Sequence, residues 1–225
     1  MKFFQEFKNY YTIKMSSVFK AILFLEDFKE EAECDRLYAE FIGSKLVVNP
    51  EKCNSEVFEA LNHYSNQYEI QAETGRVFGE IERFYWKIVE LYAEGLRPVL
   101  RKELFKSPGS KIEYFLLVSP LGDGVLLEGE MGKVKIPWIE SFFTAHTHPE
   151  ETPTPSFTDL ETIVKSLTLR SIGHSIEGYS RGIVIFRIKP LTVEQLFYLK
   201  NVKRGDLLSF IERLNRVDSI RITYL

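Results

Sequence analysis

The sequence predicts a mixed α/β (α+β) protein, and two observations support this fold class. In the first hundred residues, apolar positions recur mostly every three or four residues, as one face of a helix requires. After a Pro-Gly break at residues 106–110, short apolar runs alternate with helix-like stretches, which indicates strands between helices. We therefore expect a helical N-terminal region at residues 1–106 and a domain at residues 107–225 with a mixed β-sheet flanked by helices.

The N-terminal region is expected to contain three helical stretches. The first runs from Ser17 to Gly43, where the glycine is a plausible stop. The second starts near residue 55, after an Asn-Pro break. The third extends from Thr74 to about Leu104, and Pro98 should kink or restart it because proline cannot donate a backbone hydrogen bond.

The C-terminal domain is expected to alternate strands and helices. Gly122-Asp-Gly124 can turn one short apolar strand back onto the next. Apolar residues that alternate with polar ones predict the remaining strands, and apolar residues that recur about every 3.6 positions predict the helices. The expected strands cover residues 113–118, 125–127, 171–177, 182–188 and 219–224, and the expected helices cover residues 158–169, 193–200 and 206–215.

Charge and composition restrict the class of protein. A formal net charge of −3 provides no global basic field, which argues against nucleic acid as the partner. The longest early apolar run, Val18–Leu25, is far too short to span a bilayer, and the N-terminus lacks a signal-peptide pattern. Cys34 and Cys53 form no CxxC pair; we expect reduced thiols, with a disulfide as the alternative. These features predict a cytoplasmic protein without a membrane segment.

One segment, residues 144–159, combines residues that carry chemistry. His146 and His148 are two apart, so on a strand both imidazoles can approach one ion. Ser156 is a natural N-cap for the following helix, and Asp159 lies in the first turn of that helix. Together, two imidazoles and one carboxylate leave a fourth position for water, which is the pattern of catalytic zinc.

The spacing of these residues resembles the signature of the JAMM (MPN, or JAB) zinc metalloproteases. In this sequence His146-x-His148 is followed after a proline-rich loop by Ser156-x-x-Asp159. The resemblance covers roughly residues 107–190. It implies Zn²⁺ as the cofactor, with His146, His148 and Asp159 as its ligands and Ser156 as the partner of a tetrahedral oxyanion.

The same resemblance implies a glutamate that accepts a proton from the zinc-bound water. Glu113 occupies the expected place, at the start of the first apolar strand after the Pro-Gly break. Glu128 and Glu130 are rivals because their segment also has a strand-like pattern. His174, in a later strand-like run, is expected to be a strand-face histidine with a backbone partner; a role beside the metal ligands or in substrate contact is the alternative.

The resemblance implies a peptide or isopeptide bond as the substrate of this protein, with the C-terminus of a ubiquitin-like modifier as one candidate. Two alternatives stay open. Members of the same superfamily also serve as catalytically silent interaction scaffolds, although here the complete set of motif residues is present. The Pro153-Thr-Pro-Ser156 segment also resembles the loop of RadC, a bacterial family linked to DNA repair.

Overall fold

The computed structural model describes residues 2–54, 56–106, 109, 112–129, 140–201 and 205–225, and it has the expected mixed α/β fold. The helices are α1 (Tyr10–Glu31), α2 (Val57–Tyr68), α3 (Glu82–Leu91), α4 (Arg97–Lys106), α5 (Phe157–Thr168), α6 (Val193–Lys200) and α7 (Leu207–Arg216), with a π-helical segment at Tyr92–Leu96. The strands are β1 (Lys2–Phe7), β2 (Arg36–Ile42), β3 (Lys45–Glu51), β4 (Ala72–Thr74), β5 (Tyr114–Val118), β6 (Gly124–Glu128), β7 (Phe143–Thr147), β8 (Gly173–Glu177), β9 (Gly182–Arg187) and β10 (Ile220–Tyr224).

The described residues divide into two compact units. One unit comprises Met1–Ser16 and Val89–Leu225, and the other comprises Ser17–Ile88. This division does not coincide with the predicted boundary after residue 106. One reason is that β1 pairs with β6 and so joins the large sheet, although it lies more than a hundred residues earlier in the chain.

The larger unit is built on a seven-stranded sheet with the order β1-β6-β5-β7-β8-β9-β10. Neighbouring strands are antiparallel except for β7 and β8, which are parallel because α5 connects them. The centre of the sheet, β5, β7 and β8, is almost wholly buried. The candidate site is built from these central strands, from residues next to their ends and from the N-terminus of α5.

Helix α5 packs its apolar side onto the sheet. Leu160, Ile163, Val164 and Leu167 recur at helical spacing and are buried. They form one hydrophobic core with residues of β8, β9, β10, α6 and α7. This packing fixes the helix over the sheet and so fixes the position of its N-terminus next to the end of β7.

The smaller unit contains a three-stranded sheet, in which β2 and β3 form an antiparallel hairpin and β4 pairs with β3 in parallel. A disulfide joins Cys34, just before β2, to Cys53, just after β3. Both cysteines lie at the open end of the hairpin, opposite its turn. The expectation of reduced thiols is therefore wrong. The cross-link is compatible with the fold because the first residues of β2 pair with the last residues of β3.

The prediction of a helical N-terminal region at residues 1–106 is wrong in part, because strands β1 to β4 lie within it beside the helices. Helix α1 ends at Glu31, and the segment that was expected to extend it to Gly43 forms β2, along which Leu37 and Ala39 are buried. Gly43 lies in the hairpin turn with a φ of +63°, a conformation that glycine adopts without a steric penalty. The prediction at Pro98 is confirmed, since α4 starts at Arg97.

No helix among the described residues is long and apolar enough to cross a membrane.

Candidate metal centre

The two histidines of the motif lie where β7 ends. His146 is a buried residue of β7, and its neighbours across the sheet are Phe115 on β5 and Ile176 on β8. His148 follows the strand, and its backbone N–H donates to the carbonyl of Glu177, which continues the parallel ladder by one step. Because side chains alternate along an extended chain, both imidazoles point to the same side of the sheet.

The serine and the aspartate lie at the N-terminus of α5. Ser156 is the N-cap residue, and its Oγ accepts a hydrogen bond from the backbone N–H of Asp159 at 3.1 Å. In return, Oδ2 of Asp159 accepts from the backbone N–H of Ser156 at 2.7 Å. This reciprocal capping box holds the carboxylate in one orientation.

The loop between His148 and Ser156 is tied to the turn between β8 and β9. The backbone N–H of Tyr179 donates to the carbonyl of Glu150, and that of Ser180 donates to the carbonyl of Glu151. Gly178 allows this close approach, because a Cβ there would lie 2.7 Å from the Glu150 carbonyl oxygen. Nothing in the local sequence pattern predicts this anchor. It fixes the path that returns Ser156 to the histidines.

His146, His148 and Asp159 converge on one point and could hold a metal ion. Nε2 of His146 lies 2.9 Å from Nε2 of His148, and each of these atoms lies 3.5 Å from one carboxylate oxygen of Asp159. Ligand atoms in a tetrahedral zinc site are separated by about 3.3 Å, given zinc–ligand distances of about 2.0–2.1 Å. The three side chains therefore have nearly the spacing that such an ion requires.

The protonation properties of the three residues differ because their environments differ. Burial lowers the pKa of His146 to about 4, although the Asp159 charge opposes this change. For His148, burial also acts to lower the pKa, but the hydrogen bond and the charge of Asp159 outweigh it and raise the pKa. Burial acts to raise the pKa of Asp159, yet its bonds to His148 and Ser156 and the charge of His146 hold that pKa well below its usual value.

Glu113 lies next to these three residues, just before β5. Its backbone carbonyl accepts from Gly129, which extends the β5–β6 pairing by one step. Burial is the main cause that raises the pKa of Glu113; the charge of His148 lowers it, and those of Asp159 and Glu150 raise it further. These interactions show that the carboxyl group shares the electrostatic environment of the metal centre. A partly buried carboxyl group with a raised pKa is suited to proton transfer.

Glu128, one of the two rival glutamates, does not share this position. Glu128 pairs with Tyr114 across β5 and β6, whereas Leu127 pairs with Phe115, which itself pairs with His146. Residues that pair across neighbouring strands lie on the same face of the sheet, and successive pairs lie on opposite faces. Glu128 therefore lies on the face of the sheet away from His146. Glu130 lies outside the described residues.

His174 contacts one of the three candidate ligands directly. Its Nε2 lies 2.6 Å from Nδ1 of His146, and its Nδ1 lies 2.5 Å from Oγ1 of Thr144. The expectation of a backbone partner is therefore wrong, because both ring nitrogens have side-chain partners. The parallel register of β7 and β8, which pairs Thr144 with His174, brings these groups together.

Comparison of this chain with models of known protein families, with curated proteins and with solved structures gives no match. The similarity to the JAMM metalloproteases is therefore a resemblance carried by the motif. The geometry of His146, His148 and Asp159 stands independently of that resemblance.

Proposed function

We propose that this protein is a zinc-dependent hydrolase that cleaves a peptide or isopeptide bond. The observation that carries the proposal is the convergence of two imidazole nitrogens and a carboxylate beside a partly buried Glu113. A metal-ligating trio with an adjacent proton-transfer group is the arrangement that metal-assisted hydrolysis requires. The resemblance of the motif to the JAMM signature supports the same chemistry.

Zinc is the metal that the donor set and the motif together favour. Two imidazoles and one carboxylate suit zinc and other first-row metals such as iron(II), whereas magnesium and calcium prefer oxygen ligands alone. The resemblance of the motif to the JAMM signature favours zinc among these metals. Three protein ligands are also the number found in catalytic zinc sites, which keep one position for water. When bound here by His146, His148 and Asp159, zinc supplies a Lewis acid that polarises a carbonyl group and lowers the pKa of water.

Glu113 is proposed to act as the general base. Its carboxylate accepts a proton from the attacking water and then delivers that proton to the leaving amine. This kind of proton transfer contributes about 10²–10⁴-fold to a rate. The raised pKa of Glu113, caused mainly by burial, supports the role because it makes the carboxylate a stronger base near neutral pH.

Ser156 is proposed to stabilise the oxyanion of the tetrahedral intermediate. Its Oγ already accepts a hydrogen bond from the Asp159 backbone, so the hydroxyl proton is the part of the group that can donate to substrate. The side chain lies at the exposed N-terminus of α5. Partial positive charge at a helix N-terminus adds to the stabilisation of a developing anion.

The substrate class follows from the resemblance and from the chemistry of the site. We propose a protein or peptide substrate, with an isopeptide or peptide bond at the C-terminus of a ubiquitin-like modifier as the first candidate. A nucleic-acid substrate is disfavoured, because a net charge of −3 provides no electrostatic attraction to phosphate.

The test is cleavage of a defined panel by the zinc-loaded protein. The panel contains linear and isopeptide-linked diubiquitin and a synthetic peptide library, and mass spectrometry identifies the products. The proposal predicts at least one cleaved amide bond, loss of cleavage with EDTA and its return with added zinc. Cleavage that persists in EDTA, or a zinc-loaded protein that cleaves no member of the panel, would count against it.

A further inference from the structure

We propose that His174 is a positioning residue that fixes the orientation and the tautomer of His146 as a metal ligand. The inference rests on the proposed metal site and adds a residue to it. Its basis is a continuous hydrogen-bonded chain of three side chains, from Thr144 through His174 to His146.

The chain reaches His146 on the side of the ring away from the metal centre. Nδ1 of His146 lies 2.6 Å from Nε2 of His174, whereas Nε2 of His146 faces His148 and Asp159. One nitrogen of the ring is therefore available to a metal, and the other is held by a neighbour. Metal-ligating histidines commonly have such a partner on the second nitrogen, and that partner sets the tautomer.

Only one arrangement of protons satisfies every contact in the chain when a metal is bound. The metal needs the lone pair of His146 Nε2, so the proton of this neutral ring lies on Nδ1 and is donated to His174 Nε2. His174 then carries its own proton on Nδ1, which it donates to Thr144 Oγ1 at 2.5 Å. Each ring nitrogen thus has a defined role, and the Thr144 hydroxyl accepts the hydrogen bond at the end of the chain.

Packing holds the two rings in this arrangement. His146 and His174 are 5% and 4% exposed, so water does not compete for their nitrogens. The ring of Phe115 lies 5.8 Å from that of His146 and 5.9 Å from that of His174, measured between ring centroids. A side chain without an acceptor at position 174 would leave the buried N–H of His146 unsatisfied, at a cost to the bound form.

The experiment compares two substitutions of similar size at position 174. His174→Phe keeps a ring but removes the acceptor, whereas His174→Gln retains an oxygen that can accept from His146. Zinc affinity is measured by competition with a chromophoric chelator, and the absorption spectrum of the cobalt-substituted protein reports the ligand geometry. Thermal unfolding of the metal-free variants shows whether each is folded.

We expect His174→Phe to lose about 10–100-fold in zinc affinity and to alter the cobalt spectrum, while His174→Gln stays closer to the wild type. Thr144→Val should cause a smaller loss, because it removes only the partner of His174. The matched control is His63→Phe, since His63 is an exposed residue of the smaller unit.

Three results would overturn the inference, and two of them have the same meaning. Wild-type zinc affinity and an unchanged cobalt spectrum in a folded His174→Phe variant would exclude the positioning role and leave the proposed metal site intact. If His174→Phe does not fold, wild-type zinc affinity in Thr144→Val together with a loss of about 10–100-fold in His174→Gln would have the same meaning. A wild-type protein that binds no zinc would overturn both the site and the role of His174.

Discussion

Ser156 and Asp159 bind each other's backbone at the start of α5, and the same carboxylate of Asp159 lies 3.5 Å from both motif imidazoles. The capping box therefore does two things: it starts the helix and it orients a metal ligand. A capping box is an ordinary feature of helices. What distinguishes this one is its location opposite the end of β7.

Substitution Ser156→Ala should separate the structural role of this serine from its catalytic role. Loss of the cap should lower the free energy of unfolding by about 1 kcal/mol. Loss of the oxyanion donor should lower kcat by about 10²–10³-fold. The matched control is Thr192→Ala, because Thr192 forms the same kind of capping box with Gln195 at the start of α6.

Urea unfolding and steady-state kinetics check this prediction. The control variant should lose comparable stability and keep the wild-type rate. A Ser156→Ala variant that loses stability alone would restrict Ser156 to its capping role.

Substitution Glu113→Gln should abolish hydrolysis and leave the metal in place. The amide cannot accept a proton from water, so kcat should fall by about 10²–10⁴-fold, whereas zinc content should stay unchanged because Glu113 is not a ligand. Glu128→Gln is the matched control, since Glu128 lies on the opposite face of the sheet. Full activity in Glu113→Gln would refute its role as the base.

Zinc affinity should fall as the pH is lowered from about 8 to about 5. Only a neutral imidazole binds a metal, so protons compete with zinc wherever a ligand histidine titrates. Burial acts to lower the pKa of His148, but the hydrogen bond and the charge of Asp159 outweigh burial and raise it. The fraction of protonated His148 therefore increases as the pH falls through that pKa. His146, with a pKa of about 4, stays neutral across the same range.

Chelator competition at a series of pH values measures this dependence. A slope of about one proton per zinc below the pKa of His148 is expected. An affinity that does not change with pH over this range would mean that His148 is not a ligand.

Reduction of the Cys34–Cys53 disulfide should destabilise the smaller unit without affecting the metal centre. The cross-link closes a loop with a sequence separation of 19, and loops of this size contribute about 3 kcal/mol by restricting the unfolded chain. Urea unfolding with and without reductant tests the stability, and zinc titration of the reduced protein provides the control. Equal stability in both states would contradict the prediction.

The same cross-link bears on the compartment. Disulfides persist mainly in oxidising environments, so their presence in the isolated protein would favour such an environment over the predicted cytoplasm. Alkylation of the denatured protein before and after reduction counts the free thiols.

The C-terminal elements could be predicted from the sequence because each has a single clear period. The expected helix at 158–169 and strand at 171–177 differ from α5 and β8 by at most two residues at either end. The β2–β3 hairpin could not be recognised in the same way. Leu37 and Phe41 are four residues apart, a spacing shared by one face of a helix and one face of a strand.

The candidate site was predictable where its residues are close together in the chain. His146, His148 and Asp159 fall within one short segment, so their spacing alone indicates a metal site. His174 could not be assigned in this way. Its contact with His146 depends on the register of two parallel strands, which pattern analysis does not provide.

The most direct test of the account is the metal content of the purified protein, measured by elemental mass spectrometry. The wild type is compared with His148→Ala and Asp159→Ala, and His63→Ala serves as the control for loss of a histidine. The account predicts about one zinc per chain in the wild type and the control, and loss of zinc in both ligand variants. No zinc in the wild type after zinc is added back, or full zinc content in the ligand variants, would contradict it.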